Sequence, residues 1–236
     1  MHARTRDRDR GIGLLVVLVW LSLLASAALG VALATSAEAP ASGALHERVR
    51  LGRGAESAAA LALASLGAVV DWRFVPTVGV ASPFVDGPPG LRPLGAATLD
   101  LLAETSLRTC GRPAPCDDVS TSVSSVPRPW GVRNPRWRLV VHAPLADVDA
   151  TAGAACACYV VAWVADDPAD DDGDPLLDAP SGLAGHGVLL VRGAAFGEGG
   201  GLAEVEALVA KPCRRGVGAC TGIRVQSWSV VGGGAP

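Results

Sequence analysis

The longest apolar pattern in the chain runs from Gly11 to Ala37, GIGLLVVLVWLSLLASAALGVALATSA, without one ionisable side chain. A helix rises about 1.5 Å per residue, so this run exceeds the roughly 20 residues needed to cross a bilayer core. It predicts a membrane-spanning helix over 12–37. Arg4, Arg6, Arg8 and Arg10 stand before it, and positive charge on a flank holds that flank in the cytoplasm. The bulk of the chain is therefore expected outside the cytoplasm. Glu38, Pro40 and Gly43 then predict a break, because Pro removes a helical hydrogen bond and clashes with the preceding turn. Leu45, Val49, Ala55, Ala59, Ala62, Leu63, Leu66 and Val70 recur at three-to-four spacing. That spacing predicts an amphipathic helix over 38–72 with one apolar side.

Beyond it, residues 73–97 are rich in Pro and Gly and read as loop with short strand pieces. Leu99, Leu102 and Leu107 suit a short helix over 97–107, with Thr98 as its cap. The period then changes to two, and strands are predicted over 119–126, 137–143, 159–165, 188–196, 203–210 and 223–231. In AEVEALVA, Glu204 and Glu206 alternate with Val205 and Ala207, which predicts one side in water. Gly197–Gly201 (GEGGG) predicts a hairpin turn between two strands. A long helix followed by an antiparallel sheet is an α+β arrangement, with residues 73–236 forming one β-rich domain.

Composition adds little to this picture. The net charge is −3, which carries no general attraction to nucleic acid. Nineteen of the twenty basic residues are Arg, a bias that fits a GC-rich genome better than a function. Six cysteines in a domain placed outside the cytoplasm read as disulfides.

The junction Arg10-Gly11-Ile12 changes the reading of the anchor. A short basic leader, residues 1–11, ends in Gly, and the apolar helix begins at once. This resembles the class III signal of type IV pilins and type II secretion pseudopilins. The resemblance implies cleavage after Gly11 by a prepilin peptidase and methylation of Ile12. It also implies residence in the inner membrane until the subunit enters a periplasmic or extracellular filament, where its N-terminal helix meets other pilin subunits. The family's Glu at the fifth mature position is Val16 here. K-type pseudopilins and many PilX-type minor pilins lack that Glu too. The chain has no room for the extra helical domain usual in the K type, so it is most similar to a PilX-like minor pilin. That implies a pilin-like fold, a place near the filament tip and a role in priming assembly rather than an enzyme. The rival reading is a secreted or anchored binding domain, cut by ordinary signal peptidase at Ala37-Glu38-Ala39 or not cut.

Among chemical candidates, VADDPADDDGDPLLD carries seven aspartates. Hard oxygen ligands on a Gly-containing loop suit calcium, and Asp167, Asp170, Asp172, Asp174 and Asp178 are its candidate ligands. Aligning Gly173 with the glycine of an EF-hand puts Pro168 at the first ligand position, so it is not an EF-hand. Cys110 and Cys116 flank GRPAP, and Cys213 and Cys220 flank RRGVGA; both pairs are expected as local disulfides. The single residue between Cys156 and Cys158 disfavours a bond between them and leaves pairing with other cysteines, or free thiols, open. Zinc is a weak rival, because C-x-C is not a zinc knuckle. Ser181, His186 and an aspartate can be assembled on paper into a hydrolase, but no G-x-S-x-G or H-E-x-x-H motif supports catalysis. Trp130, Trp137, Trp163 and Trp228 are expected in or beside the sheet, as core or as adhesive surface.

Overall fold

A helix, α1, is assigned from Arg6 to Gly67. The computed structural model describes residues 6–126, 130–169, 174–178, 186–211 and 222–231. It divides into two units, Met1–His46 and Glu47–Pro236. In the first, Gly13–Ala32 is a 20-residue stretch long and apolar enough to cross a membrane. Its large side chains, among them Leu14, Leu18, Trp20 and Leu24, are exposed. Ser22 Oγ donates to the Leu18 carbonyl at 2.9 Å and Ser26 Oγ to the Ser22 carbonyl at 2.8 Å. Hydroxyls bonded within their own helix need no water, as a lipid environment demands.

The predicted break at Pro40 is not assigned: the backbone is helical through it. Proline fixes φ near the helical value and deletes one hydrogen bond without forbidding the turn. The helix stops at Gly67, short of the expected Trp72. Lys211, the only lysine, reaches the end of α1 and donates to the carbonyls of Val69 and Val70. A cation there complements the helix dipole, and burial holds its pKa below the ordinary lysine value.

In the second unit, α1 presents Leu51, Ala55, Ala58, Ala59, Ala62 and Leu66 to the sheet, all nearly or fully buried. Ala55, Ala59, Ala62 and Leu66 of the expected stripe are buried, whereas Val49 is exposed and Val70 lies beyond the end of the helix. Small residues let the backbones approach. A Cβ on Gly193 would overlap the Ala55 carbonyl oxygen and stand 2.7 Å from the Ala59 amide, and one on Gly54 would stand 2.8 Å from Ala195 Cβ.

After α1 come a short helix α2 (Val75–Val78) and the hairpin of β1 (Leu91–Leu94) with β2 (Ala97–Asp100). Helix α3 (Leu101–Cys110) follows, capped by Asp100, whose carboxylate accepts from the Leu102 and Ala103 amides. The predicted cap Thr98 lies instead in β2, because the Asp100 side chain, two positions on, reaches the first free amides. Helix α4 (Asp118–Val123) replaces the strand expected over 119–126. Asp117 and Ser120 form a reciprocal capping box that satisfies two terminal amides, and Val119 and Val123 fit a helical turn as well as a strand.

The main sheet is an antiparallel meander in the order β3 (Arg138–Pro144), β4 (Cys158–Asp166), β5 (Val188–Gly197), β6 (Leu202–Ala210) and β7 (Arg224–Val231). Helices α5 (Leu145–Val148) and α6 (Ala150–Ala155) join β3 to β4. The GEGGG turn joins β5 to β6, Gly197 donating its N–H to the Gly201 carbonyl at 2.9 Å. One face, with Val160, Ala162, Val191, Val205 and Ala207, packs on α1. The other, with Tyr159, Val161, Trp163 and Phe196, is covered by Leu99, Leu101 and Trp137. With both faces covered, β4 is buried at every position, which explains its unbroken apolar run. The segment 84–86 lines the β3 edge, His142 donating its N–H to the Phe84 carbonyl and Asp86 donating its own to the His142 carbonyl, both at 3.1 Å. Among the described residues β7 forms the other edge, pairs with β6 alone and is largely exposed.

Candidate functional site

Of the residues singled out from the sequence, Gly11 and Ile12 lie on helical backbone and Val16 is exposed on the apolar stretch. The second layer of the domain holds groups that the alternation of β6 assigned to water. Glu204 and Glu206 are each only 8% exposed. Glu204 accepts from Arg108, which also holds Glu104 at 2.5 Å, and Glu206 accepts from Arg192, its direct cross-strand neighbour. Arg108 stacks over Trp163 at 4.1 Å and Arg192 over Trp137 at 4.6 Å, adding cation–π attraction where solvent is absent. Trp163 Nε1 donates to Thr105 Oγ1 at 2.8 Å. The expected water face of β6 is therefore a paired ionic layer beneath α3. The one sequence signal was Arg192 inside the apolar run VLLVRGAAF.

Asp86 gathers a second cluster. Its carboxylate accepts from Arg92 Nη2 (2.8 Å), Tyr159 Oη (2.8 Å) and His142 Nδ1 (3.0 Å). An ionised carboxylate only accepts, so the His142 proton on Nδ1 is assigned by that contact. Burial pushes the Asp86 pKa up, and the bonds from Arg92, Tyr159 and His142 outweigh it, bringing it down to about 2. Burial, then the bond to Asp86, raises the Tyr159 phenol. The cluster fastens the 84–86 segment to β3 and β4. Because the folded pKa lies below the unfolded value of about 3.9, this stabilisation is present above pH 4 and is lost as pH falls toward 2. Asp86→Asn is expected to lower the melting temperature at pH 7, and the gap to the parent should close between pH 4 and 2. A gap that is constant with pH would sink the assignment.

The aspartate-rich loop is only partly described. Asp170 and Asp172 lie outside the described residues. Asp167 accepts from the Ala169 amide and Asp174 from the Leu176 amide, each a local turn. Asp178 is buried, and its oxygens accept from the Gly187 amide at 2.9 Å and the Val188 amide at 3.3 Å, with His186 Nδ1 3.6 Å away. Asp178 thus anchors the loop to the start of β5. No three potential metal ligands gather among the described residues.

Cys110 and Cys116 form the expected disulfide, S–S 1.98 Å, tying the end of α3 to the start of α4. Cys156 and Cys158 are also bonded to each other, against the expectation from their one-residue spacing. Both carbons project to the same side of the chain entering β4, and their Cα atoms stand 5.2 Å apart, within the ordinary range for a bridge. Cys213, Cys220 and Ser181 lie outside the described residues. Trp137 and Trp163 are core, whereas Trp130 and Trp228 are partly exposed.

The fold and its clusters thus define an α+β protein with an N-terminal apolar helix and antiparallel sheets. No family model, curated protein or solved structure matches the chain.

Proposed function

We propose that the chain is a minor pilin or pseudopilin subunit, held in the inner membrane by its N-terminal helix and then built into a filament at or near its tip. The observation that carries this reading is the order of parts. A basic leader ends at Gly11, the exposed apolar stretch Gly13–Ala32 follows, and residues 51–66 of the same helix lie on an antiparallel meander. In this role the apolar stretch packs among other subunits' helices after leaving the bilayer, and Ser22, Ala25, Ser26 and Gly30 allow close approach. Val16 offers no carboxylate to a neighbour's terminal amine, which suits a subunit with none above it.

The reading is tested at the mature N-terminus. Mass spectrometry is expected to find N-methylated Ile12 in cells that hold the prepilin peptidase and an intact leader in cells that lack it. A mature start near Pro40, or a leader retained in both strains, would replace the filament role with that of a secreted or anchored domain.

A further inference from the structure

The two edges of the main sheet differ. Along β3 the segment 84–86 supplies backbone partners to His142, and the Asp86 cluster fastens it there. Along β7, among the described residues, no backbone hydrogen bond arrives from anywhere but β6. Alternate residues of an antiparallel strand turn N–H and C=O away from their partner, so β7 presents a row of open donors and acceptors. Edge strands are ordinarily guarded by charge, proline or a covering element. From Val225 to Val231 there is neither charge nor proline, and seven of the eight positions of β7 are exposed. Its register with β6 is regular from Ser227 onward.

The side chains of β7 are sorted by face. Directly opposite residues in an antiparallel pair share a face. Val230 stands opposite Val205, Trp228 opposite Ala207 and Val225 opposite Val209, and these three β6 residues belong to the core beneath α1. That cover does not extend over β7, where Val230 is 73% exposed, Val225 44% and Trp228 42%. On the other face Ser227 and Ser229 stand opposite Leu208 and Glu206. The open edge is therefore apolar on the α1 side and hydroxylic on the other.

We propose that β7 is a docking edge for an extended segment of another protein, which adds a sixth strand with apolar side chains on the α1 side and polar ones on the other. Open peptide groups select an extended backbone, whereas a helix bonds its own groups internally and would leave them unmet. The added strand's apolar residues cover the stripe of Val225, Trp228 and Val230 that α1 leaves bare. A second copy of the chain fits poorly. Glu47 and Leu51 lie by Gly197 at the hairpin end of the sheet, while Val69 and Val70 meet Lys211 at the other. Two copies joined antiparallel through β7 would place their Glu47 residues at opposite ends of one sheet, whereas the apolar stretches that precede them share one bilayer. The docking edge does not rest on the filament role, and either can fail without the other.

Isothermal titration of the full chain in detergent tests it, with the end-capped peptide KTVTVTVTK as the probe strand. Saturable binding is expected, at least about tenfold tighter than that of KTTTTVVVK, which keeps the composition and loses the alternation. The probe N-methylated at its seven central residues lacks the donors and should also bind at least about tenfold more weakly. Hydrogen–deuterium exchange should slow across 224–231 when the probe is bound and stay unchanged in β3. Trp228→Lys and, separately, Val230→Lys should each weaken binding at least about tenfold. Leu91→Lys, at an exposed leucine of the β1–β2 hairpin, should bind as the parent does. Absence of saturable binding, equal affinity for either comparison peptide, or binding unchanged in both Trp228→Lys and Val230→Lys would overturn the docking edge. Sedimentation showing a dimer that Val230→Lys dissociates would give the edge to a second copy and overturn it as well.

Discussion

Replacing Gly193 with alanine is expected to lower the melting temperature of the full chain by roughly 6–12 °C, corresponding to about 3 kcal/mol in a unit of this size. The added Cβ would overlap the Ala55 carbonyl oxygen and stand 2.7 Å from the Ala59 amide and 3.0 Å from Ala59 Cβ. Ala55 and Ala59 are four apart on α1, so that carbonyl and amide are partners in the helical ladder. A methyl group wedged between them must push the whole helix off β5. Backbone cannot yield as the end of a flexible side chain does, and the buried alanine stripe loses contact with it. Gly199→Ala is the control, since nothing lies within 4 Å of a Cβ there and its effect should stay within about 0.5 kcal/mol. Thermal unfolding followed by circular dichroism compares the two. Equal melting temperatures would show that α1 and β5 are not in the close contact described.

The second large effect is expected at Arg108. Arg108→Ala removes the partner of Glu204, leaves a buried carboxylate unpaired and strips a cation from the face of Trp163. Breaking a buried pair from one side costs about 3–5 kcal/mol, a drop of roughly 6–20 °C in melting temperature. Glu104→Ala removes only the partly exposed partner and should cost no more than about 0.5 kcal/mol. The double replacement Arg108→Met with Glu204→Leu removes both charges and keeps apolar volume, so it should recover most of the loss. A double variant as unstable as Arg108→Ala would mean that packing around the guanidinium stem, rather than the unpaired charge, dominates. Arg108→Ala with an unchanged melting temperature would show that the pair carries no stability.

These two sites show where reading from sequence stopped. Gly193 stands in VLLVRGAAF as an unremarked glycine in a strand, and nothing local says that α1 lies over it. Glu204 and Glu206 alternate with apolar residues as a half-solvated strand does, and that inference fails because α3 and the β1–β2 hairpin cover the other face. The capping residues of α3 and α4, Asp100 and Asp117, were present in the sequence but competed with equally good local alternatives. Of the candidate sites, the Cys110–Cys116 bridge was legible because a five-residue, Pro-bearing loop closes locally. The Asp86 cluster joins residues 56 and 73 positions apart and left no pattern to read.

Hydrophobic run length by itself determined the apolar N-terminal helix and the wholly buried strand β4, and short apolar or alternating runs with the Gly-rich turn determined the other strands from Arg138 to Val231 and the hairpin at Gly197–Gly201. Those features depend on interactions within one or two turns or one strand. Tertiary structure alone decided which faces lost their water, and with that the burial of Glu204 and Glu206 and the inward turn of Asp178. Burial is a property of what packs on an element, and the covering elements come from residues far away in the chain.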